Sequence, residues 1–369
     1  MTSESPDTSV HAAPLAPWLQ LQLEGLLAQN GHARLLAGPS GLGQFDLALA
    51  LATTWLCDQP TPQGACGRCS SCHSVAVHTH ADLCVLMPEA LSMALGWPLD
   101  EKTQDELDAK KRKPSKEIKV DAARQAVTFT QVTRSRGNTK VVLVFPAERM
   151  NTITANTLLK TLEEPPGAVK FILATEAAHQ LLPTIRSRCI GHTMVWPDFE
   201  ESLTWLQDAL TAPPPSEITG KKPARAVPAA DPAALRVLLR AAGGRPADAL
   251  AWARSASPTD TARQWQALPQ SMAHGDAHAL ADLSPSAAVA ALQKLCHDVL
   301  ATRAGAEPRF FNVDDLPAIP KAPVSTGLYA LTQWSRELTA TARTVEHPYN
   351  PGLMLEALAS RARQALAAK

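Results

Sequence analysis

The stretch from Lys140 to Cys189 limits what this chain can fold into more than any other. Val141 to Phe145 is an unbroken apolar run, the pattern of a strand buried on both faces. Asn151 then offers a cap for a helix that runs through Leu158, Leu159 and Leu162. Glu163-Glu164-Pro165-Pro166 stops that helix, because proline cannot continue it and restricts the residue before it. Phe171 to Ala174 is a second buried strand. Strand, helix and strand in this order make a βαβ unit, which requires a parallel sheet. A short apolar helix follows and ends at Ser187-Arg188-Cys189.

The runs NTLLKTLEEPP and LLPTIRSRC resemble the clamp-loader branch of the AAA+ ATPases. The resemblance covers essentially the whole chain, most strongly residues 34–195. It implies an α/β plus all-α architecture: a RecA-like parallel-sheet domain, a small helical lid and a C-terminal helical collar. The corresponding boundaries are a disordered tail at 1–13, the AAA+ domain at 14–195, the lid at 196–257 and the collar at 258–369. Within them lie a zinc module at 57–73, an inserted loop at 88–119 and a flexible Pro-rich insertion at 211–232. In that family the Arg of the Ser-Arg-Cys triplet is an arginine finger that reaches a neighbouring subunit's ATP, and the role falls on Arg188. A rigid cation with forked donors suits charge on a transferring phosphoryl group. The plain alternative is that Arg188 pairs with an acidic residue on the surface.

Arg34 to Ala37 reads as a short strand and Phe45 to Leu56 as a helix. Between them Gly38, Gly41 and Gly43 trace the outline of a P-loop. A working P-loop continues with a Lys for the β- and γ-phosphates and a Ser or Thr hydroxyl for Mg²⁺. Gln44 and Phe45 stand there instead: one carries no charge, and the other cannot ligate a metal. Under the resemblance the acid that ends the Lys140 strand aligns with Pro146, with Glu148 two residues on. No ATP is therefore expected in this chain's own site, though the loop's backbone N–H groups stay available for weak anion binding. Thr175, at the sensor position under the resemblance, is expected to keep only a structural hydrogen bond.

Cys57, Cys66, Cys69 and Cys72 follow, spaced C-x8-C-x2-C-x2-C, with Gly64 and Gly67 allowing tight turns. Four thiolates suit a structural Zn²⁺. An iron–sulfur cluster also uses C-x2-C-x2-C, but here the fourth Cys lies upstream and no Cys-Pro follows. The resemblance favours zinc, because one subunit type of the family carries a zinc module at this place. His73, His78 and His80 are expected outside the ligand shell, which four Cys complete. Cys84, Cys189 and Cys296 read as packing residues. Seven cysteines, four of them clustered, in a chain with no secretory signal suggest metal binding in a reducing cytoplasm.

Lys and Arg number 35, as do Asp and Glu, so net charge gives no argument for bulk nucleic-acid affinity. Pro88 to Lys119 loses periodicity, and its acidic residues lie beside Lys110, Lys111, Arg112, Lys113 and Lys116. A solvated loop or frayed helix is the favoured reading, and a basic contact to DNA or a partner the other. The sheet is expected to end before Ile190. Asp198 to Leu210 reads as a helix, and Pro232 to Arg240 and Pro246 to Arg254 as a helix pair. Arg245, near the second sensor position, is assigned no catalytic role.

The function that the resemblance implies is that of a fixed, ATPase-silent arm of a clamp loader, not an enzyme on its own. Its expected partners are the motor and other loader subunits, the ring-shaped sliding clamp, and primed DNA within the complex. The rivals are an ATP-hydrolysing motor subunit, which would also carry the cysteine cluster and the Ser-Arg-Cys triplet, and a zinc-dependent DNA-binding scaffold. Gln44, Phe45 and Pro146 count against the motor; balanced charge and few aromatics count against the scaffold.

Overall fold

The computed structural model describes residues 15–137, 139–211, 231–255, 257–317, 324–345 and 350–367. The tail at 1–13 and residues 212–230 of the Pro-rich insertion lie outside the described residues. The described chain divides into two compact units, one up to Pro197 and one from Asp198 onward.

The first unit is a five-stranded, all-parallel sheet in the order β2-β3-β4-β1-β5. Helix α1 (Pro17–Leu27) precedes β1 (Ala33–Ala37), and α2 (Gln44–Leu56) follows it. Helix α3 (Ser70–Ala76) leads to β2 (Leu83–Leu86). Helices α4 (Glu89–Ala94), α5 (Glu101–Asp108) and α6 (Val120–Gln131) then lead to β3 (Lys140–Val144). Helix α7 (Thr152–Glu163) connects β3 to β4 (Val169–Thr175), and α8 (Pro183–Arg186) precedes β5 (Ile190–Thr193).

The predicted βαβ unit is present, with β3 beside β4 and Leu143 opposite Ile172. The Asn151 side chain caps α7 by accepting from the Thr154 amide at 2.9 Å. Val141 to Val144 are fully buried, as expected of a central strand covered on both faces. On one face Ala123 and Ala126 of α6 and Leu158 and Leu162 of α7 pack with Val142, Val144, Phe171 and Leu173. On the other, α2 lies against β3 and β4 with Leu47, Ala48 and Leu51 fully buried.

Two expectations need correction. The sheet does not end before Ile190: β5 pairs in parallel with β1, Leu35 lying opposite Gly191. This edge strand is mostly exposed, and Gly191 and His192 break any apolar signature. Residues 88–119 are not a simple loop, because they contain α4 and α5. Glu89 organises them: it is 8% exposed, and its carboxylate accepts from Arg112 Nη2 at 3.0 Å and from the Ser115 amide at 2.8 Å. Lys119 Nζ lies 2.6 Å away, and Arg112 Nε also donates to Glu106 at 2.8 Å. Ion pairs, which leave no apolar period, hold this segment.

The second unit is all-α. Leu203, Leu206 and Leu210 of α9 (Phe199–Thr211) share a core with Leu235, Leu238 and Leu239 of α10 (Pro232–Ala241). Ala249 and Ala253 of α11 (Pro246–Ser255) complete it. A second core joins α12 (Pro258–His274), α13 (Pro285–Arg303), α14 (Val324–Thr344) and α15 (Pro351–Ala367) through Leu268, Leu292, Trp334 and Leu358. The molecule thus has the α/β plus all-α architecture that the resemblance implies. No helix among the described residues is long and apolar enough to cross a membrane.

Candidate functional site

The first unit carries three separate features: a thiol cluster, a glycine-rich loop and an arginine that follows α8. Cys57 is the C-cap of α2, Cys69 is the N-cap of α3, and Cys72 lies in the first turn of α3. Gly67 adopts φ +71°, a left-handed conformation that frees the chain to turn between Cys66 and Cys69. The four sulfurs all lie within 4.8 Å of one another, and Cys57 Sγ is 3.8 Å from Cys69 Sγ. Tetrahedral zinc–thiolate bonds of about 2.3 Å place sulfurs about 3.8 Å apart, so the cluster is the right size for one ion.

Backbone amides already point at these sulfurs. Cys57 Sγ accepts from the Gln59 and Cys66 amides at 3.4 and 3.3 Å, and Cys69 Sγ accepts from the Cys72 amide at 3.4 Å. Hydrogen bonds, led by that from the Arg68 amide, pull the Cys66 thiol down to about 6, whereas burial pushes Cys57 and Cys72 up. The four cysteines can hold a metal ion, and a cation would favour the thiolate form that burial opposes. No histidine joins the cluster among the described residues. His73 is exposed, His78 stacks on Trp97 at 3.9 Å, and buried His80 accepts from the Asp82 amide through Nδ1.

The loop from Gly38 to Gly43 lies between β1 and α2, and Gln44, the first residue of α2, reaches back onto it. Gln44 is buried and donates through Nε2 to the carbonyls of Gly38 at 2.7 Å and Pro39 at 2.6 Å. Trp18 donates its indole N–H to the Leu42 carbonyl at 3.3 Å. A side chain at Gly43 would meet Leu19 Cδ1 at 2.6 Å, so α1 packs tightly on the loop. Phe45 packs against Phe145, the residue before Pro146, with ring centroids 5.2 Å apart and the planes tilted by 36°. Trp97 closes on Phe45 edge to face at 6.3 Å. His78, Trp97, Phe45 and Phe145 therefore form one aromatic series, running from the turn after α3 to the end of β3.

Glu148, the displaced acid, accepts from the Thr175 hydroxyl at 2.6 Å and from the Glu176 amide at 3.1 Å. Thr175 thus makes a local hydrogen bond that ties the end of β4 to the turn after β3. Sequence reasoning missed Trp97. A lone tryptophan in an aperiodic segment was its only signal, and its partners are far away in the chain.

Arg188 follows α8 and is 31% exposed. Its Nε donates to Glu163 Oε2 at 3.1 Å, Nη2 lies 3.1 Å from the same oxygen, and Nη1 donates to the Thr184 carbonyl at 3.0 Å. The surface ion pair of the plain alternative is therefore present in the single chain. In the second unit, Arg245 donates to the Ala242 carbonyl at 2.7 Å and pairs with Asp248 at 3.0 Å.

Comparison with known proteins adds an independent line. A family model described as DNA polymerase III, delta subunit, matches residues 20–194. The DNA polymerase III subunit delta' of Pseudomonas aeruginosa is 38% identical over 237 residues, which is 63% of this chain and 60% of that protein. The subunit delta' of Escherichia coli is 35% identical over 208 residues, 53% of this chain and 55% of its own length. The subunit tau of Salmonella typhimurium is 31% identical over 224 residues, covering 61% of this chain and 29% of its own length. The chain's match spans a little over half the length of these delta' relatives.

Proposed function

This chain belongs to the delta' family of DNA polymerase III, and from that premise we propose that it is the ATPase-silent arm of a clamp loader. In this reading it assembles with motor gamma/tau and delta subunits in the cytoplasm. The complex opens the sliding clamp and closes it on primed DNA. Arg188 completes the ATP site of the adjacent motor subunit, where hydrolysis takes place.

The observation that carries the reading is the filled loop. Gln44 donates to the loop's own carbonyls, and Phe45, at the position of a metal-binding hydroxyl, packs against Phe145, next to Pro146 at the position of the acid. A nucleotide site needs a cation for the β- and γ-phosphates and a ligand for Mg²⁺, and Gln44 and Phe45 supply neither. The Glu148 carboxylate accepts from the Thr175 hydroxyl and the Glu176 amide, which supports a structural role for it in place of a metal-binding one.

Cys57, Cys66, Cys69 and Cys72 would hold a structural Zn²⁺, which fastens the end of α2 to the start of α3. A closed four-thiolate shell leaves no open position for catalysis. Arg188 has the chemistry to stabilise charge on a transferring phosphoryl group, and a finger of this kind contributes on the order of 10³–10⁵ in rate.

Likeness to tau keeps the motor as the second reading, and two measurements separate them. Equilibrium binding of ATP to the isolated chain is expected to show no saturable micromolar site; saturable binding with turnover would establish the motor instead. Arg188→Ala in a reconstituted loader is expected to leave assembly intact and lower DNA-stimulated hydrolysis. Unchanged hydrolysis would remove the finger assignment.

A further inference from the structure

We propose that Glu163 is the positioning residue for Arg188, holding the guanidinium ready in the unassembled chain; this rests on the finger reading above. Glu163 is the last residue of α7, and the Glu164-Pro165-Pro166 run ends the helix there. Its carboxylate therefore projects from a fixed point, because Leu158 and Leu162 anchor the same helix in the core. Thr184, the second anchor, lies in α8 beside fully buried Ile185. Arg188 hangs between these two points on a long side chain whose rotamers would otherwise be free.

The pattern of contacts determines what the pair can do. A guanidinium has five N–H donors in a fixed fork. Glu163 Oε2 accepts from Nε and lies 3.1 Å from Nη2, and the Thr184 carbonyl takes one Nη1 donor. One N–H then remains on each terminal nitrogen, and this pair can meet phosphate oxygens. With the side chain already ordered, less rotamer freedom is lost when the partner's phosphate arrives. Glu163 is 56% exposed, so its contact with Arg188 belongs to the weak surface class. A weak tether fits this role, because it orders the arginine without committing it.

The test compares Glu163→Ala, Glu163→Gln and Arg188→Ala in a reconstituted loader, reading assembly by size-exclusion chromatography and DNA-stimulated ATP hydrolysis at saturating ATP. Glu163→Ala is expected to assemble normally and lower kcat about two- to five-fold, the worth of an exposed pair, with little change in KM. Glu163→Gln keeps an acceptor for the Nε–H and is expected to recover most of the loss. Three results overturn the proposal: unchanged kcat in Glu163→Ala, a Gln variant no better than Ala, or a rise above wild type in either. The last would make the carboxylate a brake. Arg188→Ala is the control for the underlying reading: if it lowers hydrolysis while Glu163→Ala does not, only the positioning role fails. If Arg188→Ala has no effect, the finger itself fails.

Discussion

Replacing Glu89 by Gln tests whether ion pairs hold residues 88–119 in place. The carboxylate accepts from Arg112 and the Ser115 amide and lies 2.6 Å from Lys119 Nζ. Glutamine keeps the shape, loses the charge and presents N–H groups where only acceptors are wanted. Hydrogen bonds to a charged group contribute about 1.5–3 kcal/mol each when well shielded. Arg112 and Lys119 are partly exposed, so solvent screening reduces that, and we expect a total loss of about 2–3 kcal/mol.

The loss should be local. Trp97, which packs against Phe45 and His78 and whose amide donates to the Ser92 carbonyl of α4, should shift its emission to the red. Trypsin should cut faster at Lys110 and Lys111. The same carboxylate predicts a pH dependence. Burial raises its pKa, but hydrogen bonds from Arg112, Lys119 and Ser115 overcome this and bring it down to about 2. A folded pKa below the unfolded one adds stability that is complete above about 4.5 and is lost as pH falls towards 2. Wild-type tryptophan emission should shift to the red across that window, and that of Glu89→Gln should not. Equal proteolysis and equal emission in the two proteins at pH 7 would refute the argument.

Two further outcomes follow from the geometry. Purified chain should carry a single zinc that a strong chelator removes, exposing four thiols to titration and lowering the unfolding temperature; Cys66→Ser should purify with less metal. In the second unit, Lys294 Nζ donates to the Ala241 carbonyl at 2.8 Å and lies over Trp252, Trp265 and Phe310 at 4.7, 5.3 and 5.5 Å. Burial, aided by nearby Arg245, lowers its pKa to about 8. The unfolded chain therefore binds the extra proton between about 8 and 10.5, so stability from this group rises with pH in that window. Urea denaturation of wild type against Lys294→Met should show the wild type gaining on the variant from pH 7.5 to pH 10; a constant difference would show that Lys294 does not titrate there.

What could be read along the chain was what nearest neighbours decide. The apolar run at Val141–Val144, the Asn151 cap and the double proline after Glu164 produced the central βαβ unit as expected. The cysteine spacing brought four sulfurs together, and Gln44, Phe45 and Pro146 marked the loop as altered. The rest depended on pairings through space. Strand β5 exists because β1 offers it a hydrogen-bonding edge, not because Ile190–Thr193 is apolar. Helices α4 and α5 are held by Glu89 and Arg112, 23 residues apart, and Trp97 finds Phe45 far back along the chain. Arg188 was legible as a residue type, but its anchor on Glu163 lies 25 residues upstream. Periodicity and caps act over one or two turns of chain, whereas ion pairs, ring stacking and edge pairing act between whatever residues the fold brings within a few ångströms.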